Sequence, residues 1–327
     1  MITVLNIALV AVLLAGVGII VAMIKRQRTA RHRILTEDAL KHICHCEYSG
    51  LSCTINSLAG AIGKQRDSVA RIVSELTDRR YVTPRGQELV LTKQGREYAL
   101  SIIRSHRLWE RYLADETMVS EVDWHKEAEI QEHELSSEEA ESLSKRLGNP
   151  VFDPHGDPIP SPGGQIPRDL GAGLEKFHAG DTVRIVHVED EPPTIYAELL
   201  RLGLYPGMKL VIRERTGFQV VLDHDGERIE LTPVVAANLH VRKESGTPPS
   251  HPRRTLGSLN PGNKAVVTEL SPACRGLQRR RLMDLGIVPG TTIEAEMRSP
   301  GGDPTAYRIR GATIALRKEH ADLVFVE

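Results

Sequence analysis

The C-terminal half of the chain carries one pattern written twice, and that repeat constrains the architecture more than any other feature. Ala179-Gly180 followed by Val183 and Ile185 parallels Pro261-Gly262 followed by Ala265 and Val267. Leu199-Leu-Arg-Leu-Gly-Leu-Tyr-Pro-Gly207 parallels Leu282-Met-Asp-Leu-Gly-Ile-Val-Pro-Gly290. Gly226, Ile229, Leu231 and Ala236 then match Gly311, Ile314, Leu316 and Ala321. Each copy reads as a strand, a helical turn or two, Leu-Gly-x-x-Pro-Gly, and several short strands with glycine turns. That order predicts a small β-barrel in each copy, over 175–244 and 255–327 with a linker at 245–254.

The remaining residues of the 327 leave room for further domains. Lysine plus arginine (42) nearly cancels aspartate plus glutamate (43), so the net charge of −1 singles out no class of partner. Aromatic residues at 4% argue against a stacking platform for single-stranded nucleic acid. The four cysteines, at 44, 46, 53 and 274, are too few and too unevenly placed for a disulfide framework. His42, His45 and Cys46 share a helical face, yet the C-x-C-x6-C spacing is not a usual zinc pattern, and buried structural thiols or a redox-sensitive thiol are the readings left.

Ile2 to Ile24 contains no charged side chain, and at 1.5 Å per residue it would cover roughly 34 Å, enough for a bilayer core. Lys25, Arg26, Arg28, Arg31 and Arg33 follow it. A signal peptide wants its positive charge before the apolar run, so the pattern predicts a single-pass transmembrane anchor over 1–24. A basic juxtamembrane segment over 25–35 follows, with the rest of the chain on the cytoplasmic side of the cytoplasmic membrane.

From Thr36, a capped helix beginning Glu37-Asp38 is expected. A second helix follows over Thr54 to Ile62, and a third from about Asp67 through Arg79 with Val69, Ile72, Val73 and Leu76 on its apolar face. Tyr81–Thr83, a turn at Pro84–Gln87 and Glu88–Leu91 make a hairpin, and Thr92 caps the next helix. Helix, helix-turn-helix, two-stranded wing, helix is a winged-helix order over 36–100. Lys64, Gln65, Arg66, Ser68 and Arg71 on the third helix, and Arg85 at the wing tip, can donate to bases or phosphates. A solvated helix face or a protein-docking module would show the same charges.

His106 and Glu110 stand four apart on the following helix. His125, Glu129, Glu132 and His133 then fall on one face if a single helix carries them, and Glu129, Glu132 and His133 form a compact trio. Carboxylates plus imidazole without thiolate suit manganese, ferrous iron or another borderline divalent ion. An acidic solvated helix with incidental histidines is the alternative. No His-Glu-x-x-His pattern and no nucleophile motif accompany the cluster, which speaks against an enzyme.

The stretch His106-Arg-Leu-Trp-Glu110-Arg-Tyr-Leu, with His125-Lys-Glu-Ala-Glu129-Ile-Gln-Glu132-His133 and Asp153-Pro-His-Gly-Asp-Pro-Ile-Pro160, resembles the metal-binding and dimerisation domain of the diphtheria toxin repressor family. The likeness extends back through the winged helix to Thr36-Glu37-Asp38. It implies a helical metal-binding and dimerisation domain over 101–153 and a multidomain α+β fold. The implied protein is a homodimer that binds a double-stranded DNA operator in the presence of Mn2+ or Fe2+, and represses metal-uptake genes. Carried over residue by residue, Asp38 would join Glu129, Glu132 and His133 in one site, and His106, Glu110 and His125 match the other ligand positions. Glutamate at 129 and aspartate at 38 are similar to the manganese-responsive branch. Lys41 stands where that branch has a further carboxylate, and an ammonium there would repel a second cation. Glu189, Asp190 and Glu191 are additional acidic candidates.

Both C-terminal copies resemble the FeoA-type domain associated with ferrous-iron transport. The segment 154–174 is rich in proline and glycine and reads as an interdomain linker, with docking on the first barrel as a further expectation. The doubled transport-type domain leaves a second function in play: a membrane-bound accessory protein of ferrous-iron or manganese transport without sequence-specific DNA binding.

Overall fold

The computed structural model describes residues 2–166, 171–224, 226–244, 254–271 and 273–327, with side chains described at residue 16 and from residue 18 onward. The chain forms two compact units: residues 1–105 with 132–135 and 160–165, and residues 106–131 with 136–159 and 166–327.

The first unit opens with α1 (Ile2–Tyr48), followed by α2 (Ile55–Ala61), α3 (Arg66–Asp78), the strands β1 (Val82–Arg85) and β2 (Glu88–Leu91), and α4 (Lys93–Glu116), which continues into the second unit. Thr54 caps α2 through a reciprocal pair with Ser57. The Thr92 hydroxyl caps α4 by accepting from Gly95 N–H at 3.0 Å. Val69, Ile72, Val73 and Leu76 line the buried face of α3, and Leu40 and Ile43 of α1, Leu58 of α2 and Leu89 of β2 are buried with them. Each such side chain stabilises the fold by about 1.5–3 kcal/mol.

Three expectations change here. No helix begins at Thr36: α1 runs through it, and the Thr36 hydroxyl donates back to His32 O at 2.8 Å instead of capping. The wing turn is tighter than Pro84–Gln87, because Arg85 pairs with Glu88 and leaves Gly86-Gln87 as the loop, with Gly86 at φ +64°. The third correction concerns the anchor. Among the described residues no helix is long and apolar enough to cross a membrane. The apolar run is the first part of α1, and the side chains of residues 1–15 and 17 lie outside those described. The single-pass anchor over 1–24 and the membrane location drawn from it are therefore overturned.

The second unit contains the end of α4, α5 (Trp124–Gln131) and α6 (Ser137–Arg146), the last capped by Ser136 and Glu139. It continues with β3 (Ala172–Gly173), β4 (Thr182–Val188), α7 (Pro193–Arg201), β5 (Lys209–Arg215), β6 (Val220–His224), β7 (Glu227–Leu231), α8 (Pro233–Ala236) and β8 (Leu239–Lys243). The second copy comprises β9 (Lys264–Leu270), α9 (Gly276–Asp284), β10 (Thr292–Arg298), β11 (Thr305–Ile309), β12 (Ala312–Leu316), α10 (Lys318–Ala321) and β13 (Val324–Val326). The antiparallel sheets run β3-β8-β4-β5-β6-β7 and β12-β11-β10-β9-β13, so both copies share one strand order apart from β3. The repeat extends to single bonds: Gly180 N–H donates to Ile212 O and Gly262 N–H to Ala295 O, each at 2.7 Å. Separate apolar cores fill the two copies, one around Ile185, Leu199 and Leu222, the other around Val267, Leu282 and Tyr307.

Candidate metal centres

The first centre lies within the first unit. Glu37, Asp38 and Lys41 project from one side of α1, above the buried Ala39, Leu40 and Ile43. Glu132 and His133 come from the turn after α5, which ends at Gln131. His133 Nε2 is 3.2 Å from Asp38 Oδ1 and 3.4 Å from Glu132 Oε1. Its other nitrogen, Nδ1, is 2.6 Å from Glu37 Oε2, and the Tyr98 hydroxyl donates to the remaining Glu37 oxygen. Lys41 Nζ donates to both Glu132 oxygens at 2.7 Å. Arg33 Nη2 donates to the His133 carbonyl at 2.6 Å, fixing the turn. The Glu132 side chain is fully buried and that of Asp38 is 35% exposed, so the cluster opens to solvent on the aspartate side. Burial lowers the His133 pKa, but the Asp38 and Glu37 hydrogen bonds and the Glu132 charge outweigh it and hold it up at about 9.

This arrangement suits one divalent cation. Asp38, Glu132 and His133 offer ligand atoms within 4.8 Å of one another. An imidazole whose second nitrogen is bound to a buried carboxylate is held in the tautomer and orientation a ligand needs. Lys41 already neutralises Glu132, so the ammonium stands where a second cation would have to sit.

The second centre lies within the second unit and is more deeply enclosed. Glu110, 2% exposed, is its hub. His106 Nε2 is 3.1 Å from Glu110 Oε1, His125 Nδ1 is 3.4 Å from the same oxygen, and His155 Nδ1 is 3.7 Å from Oε2. Asp190, in the loop between β4 and α7, brings Oδ2 within 2.8 Å of His125 Nδ1, and Glu191 comes to 3.6 Å of Nε2. The 153–157 loop is pressed against β4: Val188 N–H donates to His155 O at 2.9 Å. Gly156 sits at φ +96°, where an added Cβ would fall 2.0 Å from Val186 O. Only glycine permits that approach, and the approach is what turns His155 inward.

Among the described residues, two buried polar atoms here have no hydrogen-bond partner: His155 Nε2 and Asp153 Oδ2. Such groups call for an explanation, and an unpaired buried imidazole nitrogen and carboxylate oxygen beside the converging His106, Glu110 and His125 fit a cation held among them. Burial would lower His125, but Asp190 and Glu110 push it up to about 11. His155 is likewise lowered by burial and raised by Glu110, Asp153 and Asp190 to about 9. Burial and the Asp157 and Glu110 charges push Asp153 up to about 7.

The structure thus brings Asp38, Glu132 and His133 together, and separately His106, Glu110 and His125. It does not bring Glu129 to Glu132 and His133. With α5 ending at Gln131, the three residues do not share a helical face, and Glu129, 56% exposed, lies 3.7 Å from His125 Nε2. Sequence reasoning missed Glu37, Tyr98, Asp153 and His155. The adjacent acidic pair Glu37-Asp38 and the Asp153-Pro-His-Gly motif were the available signals. Of the candidate DNA-reading residues, Lys64, Gln65, Arg66, Arg71 and Arg85 are exposed, and Ser68 is half-buried, accepting from Arg71 Nη2 at 3.4 Å.

Residues 92–161 match the iron-dependent repressor metal-binding and dimerisation domain, and residues 173–243 and 254–327 each match the FeoA domain. The chain is 28% identical over 228 residues to the iron-dependent repressor IdeR of Mycobacterium leprae (strain TN), covering 64% of this chain and 96% of that protein. It is 26% identical over 222 residues to the diphtheria toxin repressor of Corynebacterium diphtheriae (strain ATCC 700971), with the same coverage. A solved manganese-dependent transcriptional repressor in complex with manganese superposes with a TM-score of 0.59 at 27% identity, over 64% of this chain and 100% of that one. With both carboxylate–histidine clusters in place and these likenesses spanning the repressors' length, the chain is similar to the diphtheria toxin repressor family of metal-dependent regulators, followed by two segments that match the FeoA domain.

Proposed function

We propose that the protein is a divalent-metal-dependent, dimeric DNA-binding repressor of metal-uptake genes, responding to manganese or ferrous iron. One observation carries this reading: residues 132–135, which follow the dimerisation-domain helix α5 in sequence, pack with the first unit. There Glu132 and His133 face Asp38 of α1, the helix that leads into α2 and α3. A ligand set shared between that turn and the helix before the DNA-reading elements is what a metal-gated regulator requires.

Asp38, Glu132 and His133 would hold the cation, with Glu37 and Tyr98 orienting His133. His106, Glu110, His125 and Asp190 would hold a second, with His155 closing the cluster. The cation supplies positive charge that offsets the repulsion between Asp38 and Glu132. Lys41 supplies part of that charge permanently, so the first centre is a one-cation site that is partly ordered before metal arrives. Lys64, Gln65, Arg66, Ser68 and Arg71 would read the operator, with Arg85 on phosphate. The start of the proline-rich segment, around His155, docks on the first FeoA domain in this reading, which the Val188–His155 bond supports.

Binding of the full chain to DNA flanking its own gene tests the proposal, with and without manganese or ferrous ion, alongside a Glu132→Gln/His133→Ala variant. Metal-dependent, sequence-specific binding by a dimer, lost in the variant, is expected. Equal affinity for random DNA, or no binding at any metal concentration, would sink it.

A further inference from the structure

A third cluster lies in the first unit and differs in chemistry from both carboxylate centres. His42 and Cys46 are one turn apart near the end of α1, and Cys53 sits in the loop that leads to the Thr54 cap of α2. Their ligand atoms all lie within 4.8 Å of one another. Cys46 Sγ and His42 Nε2 are 3.5 Å apart. Sulfur and imidazole nitrogen on adjacent corners of a tetrahedral zinc site, at about 2.3 Å and 2.0–2.1 Å from the metal, are separated by about 3.6 Å. Both thiols are buried, at 4% and 1% exposure, whereas His42 is half-buried and leaves one side open to solvent.

We infer that His42, Cys46 and Cys53 form a binding site for a soft or borderline cation of the zinc class, with a fourth position left for solvent. Two thiolates and an imidazole select a different set of ions from the carboxylate-rich centres, so this site and those centres would not compete for one metal. The spacing of the three residues along the chain conceals the site, because the loop 49–52 folds Cys53 back beside the preceding helix: Leu51 N–H donates to Cys46 O at 2.8 Å. Cys53 O in turn accepts from Leu89 N–H at 2.8 Å. An ion bound here would tie the end of α1 to the entry of α2, and through Cys53 to the wing strand β2, stiffening the elements assigned to DNA reading. A Cys46–Cys53 disulfide is the competing use of the same pair.

Cobalt(II) added to the reduced, metal-stripped full chain tests the inference, because thiolate–cobalt charge transfer in the near ultraviolet reports sulfur ligation alone. One tetrahedral, thiolate-ligated cobalt per chain is expected, displaced by zinc. The band should survive in Asp38→Asn/His133→Ala and in Cys44→Ala. Cys46→Ser and Cys53→Ser should each abolish it and weaken zinc binding by at least about 100-fold, the upper end of the loss seen when a mere supporting group is removed. Should those variants fail to fold, alkylation of the unmodified protein gives the same answer: zinc should protect Cys46 and Cys53, and a chelator should expose them. Absence of the band at stoichiometric cobalt, its persistence in both serine variants, or isolation of a Cys46–Cys53 disulfide that zinc does not prevent would each overturn the inference.

Discussion

Lys41 Nζ lies 2.7 Å from both oxygens of Glu132, a carboxylate with no solvent exposure. The pair makes the ammonium a built-in cation of the first centre. Removing it with Lys41→Met strands the buried carboxylate, which should cost about 2–3 kcal/mol in the metal-free protein, a little below a fully buried pair because Lys41 is a quarter exposed. Saturating manganese should restore most of that loss, so metal-free and metal-loaded thermal melts of the variant should separate more widely than those of the parent. Lys41→Glu should go further and raise the number of cations bound at this centre from one to two, read by calorimetric titration. An unchanged stoichiometry would mean that Lys41 is not what excludes the second ion.

Glu37 and Tyr98 form the support behind His133. Glu37→Gln keeps the shape but removes the charge that holds the ring, and should weaken metal binding by about 10–100-fold. Tyr98→Phe removes one hydrogen bond to Glu37 and should cost no more than about 1–1.5 kcal/mol. Isothermal titration of both variants with manganese checks the order. A Tyr98→Phe effect larger than that of Glu37→Gln would contradict the arrangement.

Much of the architecture was legible because the information is local. The duplicated Leu-Gly-x-x-Pro-Gly and the apolar spacing of Val69, Ile72, Val73 and Leu76 act within a few residues of themselves. What failed depends on distant partners. Helical spacing across Glu129, Glu132 and His133 suggested one face, yet Lys41 draws Glu132 and Arg33 draws the His133 carbonyl into a turn, from 91 and 100 positions away. Thr36-Glu37-Asp38 has the composition of a helix start, but the preceding chain contains no proline and stays helical, so the hydroxyl bonds within it. His155 was invisible as part of a centre because its inward turn depends on Gly156 meeting β4, a contact between separated segments.

The protonation of the two centres sets a pH dependence with opposite signs for stability and for metal. His133 and His155 are held up at about 9 and His125 at about 11, above the ordinary value near 6.5. Their ion pairs with carboxylates therefore stabilise the metal-free fold fully below about pH 6.5, and that contribution is lost as pH rises through 9 and on toward 11. Metal needs the neutral rings, so its apparent affinity should rise with pH, by about tenfold per unit for each proton displaced, until the His133 value is passed. Metal-free melts should fall between about pH 7 and pH 10 while manganese affinity climbs over the lower part of that range. Titrations in buffers of different ionisation enthalpy should show protons released on binding. A metal affinity flat from about pH 6 to pH 8 would show that the rings are already neutral.

Glu129 and Glu132 differ in surroundings enough to be told apart by single substitutions. Glu132 is buried against Lys41 and His133, whereas Glu129 is more than half exposed and lies 3.7 Å from His125 Nε2. An exposed pair of that kind contributes about 0–1 kcal/mol. Glu132→Gln should therefore lower manganese affinity at the first centre by at least about 100-fold, as removal of a ligand must exceed removal of its support. Glu129→Gln should change it only a few-fold, since about 1 kcal/mol is roughly a fivefold effect. Electron paramagnetic resonance of free manganese gives both affinities directly. Equal losses would show that bound metal recruits Glu129 by extending α5 beyond Gln131, which would make the unwound turn at Glu132–Glu134 the element that winds and unwinds with metal.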